Sequence, residues 1–312
     1  MNICITGGLG YIGRHLVDNL CNAGHNVLVI DREDYKDQGI TDFFQDKYTN
    51  FNFVHQDIHN IVVDDYFKDY KIEAVIHLAS LTDARGHNSN YESGVYQIAM
   101  DVFNAACSAG VKTFVNASSA SVYARLEGIA TEYGFAKYMA EKNMLAKKNK
   151  YDHVPNLYNL RLFNPYGHSN VIPFSKHKTG LWFNAVRASR EDTPISLRSK
   201  TLNYKGTCVR DWINIFDVVE IFTRFALKPA DEYVEKPHWD VGTGQGICSY
   251  IFIKHFITIE DISLDINYIE ADPSDVEYSV SSPENTNEFI KFRSAVGPKL
   301  YSNSYLNGVY VT

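Results

Sequence analysis

The sequence predicts an α/β protein: a doubly wound parallel sheet followed by a smaller C-terminal substrate-binding cap. Three observations carry this. Short apolar runs alternate with helix-period segments through the first half of the chain. Two of those runs, Val27–Ile30 and Ala74–Leu78, are apolar almost throughout, as strands covered on both faces must be. A glycine-rich turn separates the first run from the first helical segment.

In chain order, strands are predicted over Asn2–Thr6, Val27–Asp31, Phe51–His55, Ala74–Leu78, Thr113–Ala117 and Asn156–Phe163. Most are short runs rich in apolar residues and bounded by polar or turn residues. Helices are predicted over Tyr11–Ala23, Tyr91–Ala109 and Tyr133–Lys148, where the apolar period lengthens. After about Pro165 the loops lengthen, and aromatic and polar residues mix without a period. Residues 1–165 plus about 212–245 are therefore expected to form a dinucleotide-binding domain, and about 166–211 and 246–312 the cap.

A chain of 312 residues has room for such a core with an appendage. With 45% hydrophobic and 21% charged residues, wholesale disorder is excluded. A formal net charge of −7 speaks against a general nucleic-acid or membrane-surface partner, though local basic residues can still hold a small anion. The five cysteines, Cys4, Cys21, Cys107, Cys208 and Cys248, form no Cys-x-x-Cys pair, so neither a metal site nor a disulfide framework is expected. The opening MNICITGG lacks the regions of a secretory signal, and no apolar run reaches membrane-spanning length. The expectation is a cytoplasmic protein with free thiols.

Gly7, Gly10 and Gly13 form a G-x-x-G-x-x-G turn within Thr6–Gly13, including Tyr11 and Ile12. Glycine permits the tight turn and lets backbone N–H groups approach a pyrophosphate at the helix N-terminus. Asp31 ends the second strand, eighteen residues after Gly13 (31 − 13). A carboxylate there accepts hydrogen bonds from ribose hydroxyls and repels a 2′-phosphate, so the expected cofactor is NAD rather than NADP. Arg32, directly after it, could pair with a phosphate. Gln56-Asp57-Ile58 adds a carboxylate after the third strand.

Tyr133 and Lys137 lie four apart on a predicted helix and share one face. An ammonium beside a phenol favours the phenolate, which suits a general base. Ser119, just past the Thr113–Ala117 strand, has a hydroxyl able both to donate and to accept. Only fourteen positions separate it from Tyr133 (133 − 119). His77 is expected to be a packed, hydrogen-bonded core histidine. Ser175–Gly180 lacks the residue order of a phosphate loop. Asn116-Ala-Ser118 fits a glycosylation sequon but is read as a strand end.

With these residues assembled, the sequence resembles the extended short-chain dehydrogenase/reductases, the NAD-dependent epimerase/dehydratase family, and within it the UDP-glucose (UDP-galactose) 4-epimerase subgroup. The matching stretches are TGGLGYIG, VIHLAS, FVNASSASVY, YGFAK, LRLFNPYG, KGTCVRDWINIFDVV and WDVGTGQG, spanning residues 6 to 246. The resemblance implies a Rossmann-type domain and C4 epimerisation of a nucleotide-diphosphate sugar through a transient 4-keto intermediate. It implies cofactor contacts from Gly7, Gly10, Tyr11, Ile12, Gly13, Asp31, Asp57, Ile58, Leu78, Ala79, Ser80, Tyr133 and Lys137. It assigns Tyr133 as base with Ser119 and Lys137, and it places Ser119, Ser121, Asn164 and Arg210 against the substrate. It also implies a homodimer joined through helices near 91–109 and 133–148.

Four departures stand out. Val95–Ala99 lacks the family's Asn-x-x-Gly-Thr, and Thr82 replaces a lysine. Asp272-Pro-Ser-Asp275 stands where Arg-x-Gly-Asp is usual, and the connector Ala124–Glu132 is short. A nucleotide-sugar 4-dehydrogenase or 4-keto reductase could use the same residues, so net redox chemistry stays open. A 4,6-dehydratase lacks support, because Ser119-Ala-Ser121 offers no acid for a leaving hydroxyl. A non-catalytic NAD-binding regulator would not need Ser119, Tyr133 and Lys137 together.

Overall fold

The structure is a computed structural model. It describes residues 1–32, 39–60, 63–81, 90–126, 131–147, 151–168, 180–232, 234, 236–272 and 275–282. The chain begins with β1 (Asn2–Thr6), α1 (Tyr11–Asn22), β2 (Asn26–Asp31), α2 (Ile40–Lys47), β3 (Phe51–His55), α3 (Val63–Asp69) and β4 (Ala74–His77). It continues through α4 (Ile98–Ser108), β5 (Thr113–Ser119), α5 (Ser121–Leu126), α6 (Glu132–Ala146) and β6 (Asn156–Leu162). Then come β7 (Asn164–Tyr166), α7 (Leu181–Glu191), β8 (Ile195–Ser199), β9 (Val209–Asn214), α8 (Ile215–Leu227) and β10 (Trp239–Val241). The described chain ends with β11 (Gly246–Cys248), α9 (Ser249–Glu260), β12 (Ile266–Glu270) and β13 (Tyr278–Ser279).

Two compact units result. The first holds Met1–Leu162 and Val218–Trp239; the second holds Phe163–Asp217 and the described chain from Asp240 onward. The expected doubly wound sheet is present, seven strands in the order β10-β6-β5-β4-β1-β2-β3. Every pairing among β1 to β6 is parallel. Val27 to Ile30 and Ala74 to His77 are all buried, which is why those strands read as unbroken apolar runs. On one face, Phe103 of α4 meets Phe114 of β5 edge to face at 5.2 Å, with Ala140 and Met144 of α6 in the same cluster. Burying one such aromatic side chain stabilises the fold by roughly 1.5–3 kcal/mol.

Three local expectations need correction. The helix expected over Tyr91–Ala109 is π-helical from Glu92 to Gln97, and α4 begins only at Ile98. A π-turn takes up an extra residue and leaves groups for outside partners. The Gly94 carbonyl here accepts Leu81 N–H at 3.0 Å. Next, Ser119 is the last residue of β5 rather than a loop residue, because β6 runs far enough to pair it with Leu162. Finally, the connector is not open loop throughout. Ser121–Leu126 is helical and Glu132 already opens α6, whose N-cap Thr131 accepts Gly134 N–H at 3.1 Å. Residues 127–130 lie outside the described residues, as does Thr82.

In the second unit β9 pairs with β7, β11 and β13, while β8 and β12 form a separate two-stranded sheet. Trp212 of β9 stacks on Phe252 of α9, with centroids 3.9 Å apart. Asp211 is fully buried and is a hub for this unit. Its carboxylate accepts from the backbone N–H groups of Thr243, Gly244 and Ser281 and from the hydroxyls of Thr243 and Ser281, at 2.6 to 3.1 Å.

Candidate active site

The glycine turn is shaped by its neighbours. Gly7 has φ +70°, and a Cβ there would lie 2.8 Å from Ala79 N. A Cβ on Gly13 would lie 2.6 Å from Gly7 O. Both positions therefore demand glycine. Asp31, buried at the end of β2, accepts Leu9 N–H at 3.0 Å. Arg14 is fully buried and grips the other side of the same residue, with Nε 3.2 Å and one terminal nitrogen 2.8 Å from Leu9 O. This arginine went unread in the sequence. A charge one place after the last glycine looks like a solvated helix residue, and only the turn of α1 carries it inward.

The cradle fits a dinucleotide. α1 opens at Gly10 with no side-chain cap and no acid in its first turn. Its leading N–H groups, from Tyr11 and Ile12 onward, thus suit a pyrophosphate. Leu78, Ala79 and Ser80 follow β4 directly past this turn, with Leu78 N–H bonded to Thr6 O at 3.0 Å. Asp57 caps a short turn through His59 N–H at 3.0 Å, and Ile58 beside it is buried.

Ser119, Tyr133 and Lys137 converge at the C-terminal edge of this same sheet. The Ser119 hydroxyl lies near enough to the Tyr133 phenol to favour its ionised form. Ser119 Oγ also donates to Ser121 Oγ at 3.1 Å and accepts Ser121 N–H at 3.1 Å. Lys137 Nζ donates to Ala117 O at 2.8 Å and lies 5.8 Å from the Tyr133 ring centroid. Gly134 permits this arrangement, since a Cβ there would run into the Ser121 carbonyl. Tyr91, at the head of the π-turn, meets Tyr133 edge to face at 6.3 Å.

Burial pushes the Tyr133 phenol up to about 12, against the easing effect of the Ser119 hydroxyl. Burial likewise draws Lys137 down to about 8, opposed by Glu141 one turn along the helix. His77 behaves as expected of a core residue. It is buried, its Nδ1 is 2.8 Å from Thr6 Oγ1, its ring stacks on Phe114, and burial holds it to about 3. It belongs to a polar rung across the sheet, where Thr6, His77, Asn116 and Asn159 stand in register. Asn116 Nδ2 donates to Asn159 Oδ1 at 2.9 Å.

Asn164 and Arg210 lie in the second unit. β7 pairs with β9 so that Asn164 stands opposite Trp212, two residues from Arg210. Asn164 donates to Asp211 O at 3.2 Å, and Arg210 donates to Val209 O at 2.9 Å. At the Asp272 departure, Asp275 accepts Asp272 N–H at 2.9 Å and pairs with Arg198 of β8 at 3.2 Å. Among the described residues no group of three or more His, Cys, Asp or Glu gathers as a metal site, and no helix is long and apolar enough to cross a membrane.

The parallel sheet and its glycine cradle define a dinucleotide-binding α/β protein, with Ser119, Tyr133 and Lys137 gathered at the strand edge. The chain belongs to the NAD dependent epimerase/dehydratase family, whose model matches residues 3–242. It is 28% identical over 309 residues to the UDP-glucose 4-epimerase of Yersinia enterocolitica, covering 91% of this chain and 90% of that protein. The UDP-glucose 4-epimerase of Bacillus subtilis is 26% identical over 305 residues, covering 91% and 89%. In fold the chain is similar to the Bifidobacterium longum UDP-glucose 4-epimerase solved with NAD+ and UDP, at TM-score 0.80 and 19% identity over 98% of this chain and 97% of that one. The Stenotrophomonas maltophila enzyme, solved with NAD and formylated UDP-arabinopyranose, gives TM-score 0.79 at 23% identity, covering 91% and 90%.

Proposed function

We propose that this protein is an NAD-dependent UDP-sugar 4-epimerase, interconverting the C4 epimers of a UDP-hexose. The observation that carries the reading is Tyr133 gathered beside Ser119 at the end of β5, with Lys137 one turn along the same helix, on the sheet edge that carries the glycine cradle. The curated relatives that match nine-tenths of the chain include UDP-glucose 4-epimerases and UDP-arabinose 4-epimerases, which supports a UDP-sugar substrate inverted at C4.

Tyr133 accepts the proton of the sugar's 4-hydroxyl, with Ser119 bridging hydroxyl to phenol. Lys137 contributes positive charge that lowers the cost of the phenolate. NAD, when bound, would supply the hydride acceptor and donor for C4. Turning of the 4-keto sugar between the two transfers delivers hydrogen to the opposite face. Asn164 and Arg210 hold the diphosphate, a charge-assisted contact suited to a guanidinium. Gly10, Tyr11, Ile12 and Gly13 would seat the cofactor pyrophosphate and Asp31 would select NAD, with Asp57, Ile58 and Leu78 to Ser80 lining the rest of its site.

Incubation with UDP-galactose or UDP-glucose, followed by NMR of the C4 stereochemistry, tests the reading. Interconversion without net NADH is expected. Accumulation of NADH and a 4-keto product would replace it with the dehydrogenase. We place the protein in the cytoplasm, in keeping with five free cysteines, and assign it a homodimer through the outer faces of α4 and α6, where Phe135 is exposed. Light scattering at the mass of one chain would overturn the dimer.

A further inference from the structure

Lys137 is 4% exposed, and a buried amine sheds its proton unless a counter-charge is close. Glu141 follows one turn later on α6 and is 3% exposed. Its carboxylate is held by two strands at once. Arg161 of β6 donates Nε–H to Oε1 at 3.0 Å and a terminal N–H to Oε2 at 2.7 Å. Ser118 of β5 donates its hydroxyl to Oε1. Arg161 is itself fixed, 4.6 Å from the Tyr123 ring centroid and 3.2 Å from His238 Nε2, which also lies 3.0 Å from the Tyr123 hydroxyl.

We propose that Glu141 is a positioning residue for Lys137: clamped by Arg161 and Ser118, it is the counter-charge that keeps the buried amine an ammonium beside Tyr133. The proposal rests on the reading of Lys137 as part of the site. The groups around Lys137 leave Glu141 alone in that role among the described residues. On its own helix stands Tyr133, a phenol that burial keeps neutral. From β5 come the Ala117 carbonyl and Ser119, and from β4 comes His77, neutral through burial. Tyr91 contributes a second phenol through its contact with Tyr133. Arg161, behind the carboxylate, would repel the ammonium were Glu141 uncharged. An ion pair serving only to tie α6 to β6 would not need to sit one turn from Lys137.

The test is Glu141→Gln in the full chain with NAD bound. Lysines are labelled at the ε-carbon, and the Lys137 signal is assigned by its loss in Lys137→Met. We expect the Lys137 titration midpoint to fall by about one pH unit or more. The falling high-pH limb of kcat/KM should move down with it, because the amine then neutralises at lower pH. Arg161→Gln removes the cation and leaves the carboxylate, so the midpoint should move up instead. Either variant suffices should the other not fold. A Lys137 midpoint unchanged in a folded variant, with only thermal stability reduced, would overturn the proposal. If the midpoint moves while the rate limb stays, Glu141's role stands and the catalytic reading of Lys137 fails.

Discussion

In the proposed reaction Tyr133 has to lose its proton in a place that resists the loss. Burial pushes its phenol up to about 12, so at neutral pH the proton stays on unless positive charge is brought near. Ionisation becomes accessible only with added positive charge, so the phenol's ultraviolet titration should shift to lower pH on NAD binding. Tyr133→Phe serves as the blank in that experiment. The same variant should retain NAD and lose about 10²–10⁴-fold in kcat, the range of a positioned acid–base group. Lys137 works with the opposite sign. Its pKa is drawn down to about 8, so the ammonium fraction, and with it the rate, should fall as pH rises through that value. The Ser119, Tyr133 and Lys137 set was legible because its spacing survives in the sequence. Arg14, Glu141 and Arg161 were not, because charged residues in helix and strand read as surface until packing shows otherwise.

At the level of elements, small residues decide where the reactive ones lie. Gly134 lets α6 start against the Ser121 carbonyl of α5. Gly134→Val should force those helices apart, costing about 1–3 kcal/mol in a chemical melt and lowering kcat more than it raises KM. Gly7→Ala strains a positive φ and drives a methyl into Ala79, so NAD affinity measured by calorimetry should fall at least about tenfold. The strands were readable, since Val27–Ile30 and Ala74–His77 are buried on both faces. The π-turn at Glu92–Gln97 was not, because its bond to Leu81 comes from another segment.

For the whole molecule, ligand binding couples to stability. NAD at a hundred times its dissociation constant should add about 2.7 kcal/mol, visible as a raised Tm. NADP at the same concentration should raise it less, because Asp31 repels a 2′-phosphate. An equal shift with NADP would assign Arg32 the larger influence. In the second unit, Asp211→Asn swaps an acceptor of five hydrogen bonds for an amide with one acceptor oxygen. A loss of about 1.5–3 kcal/mol is expected, read as a lower denaturant midpoint.

The sequence by itself determined the sheet class, the glycine turn between β1 and α1, and the order of Ser119, Tyr133 and Lys137. Those depend on local periodicity and on glycine and spacing constraints that a linear chain displays. Tertiary structure decided that Ser119 closes a strand, that the connector after it is partly helical, and that Arg14, Glu141 and Asp211 are buried. Each of these follows from which distant segments supply pairing partners and counter-charges: β6 for Ser119, Leu9 for Arg14, Arg161 for Glu141 and the 243–281 backbone for Asp211. Burial of a charge is a property of the assembled surroundings, and no spacing along the chain encodes it.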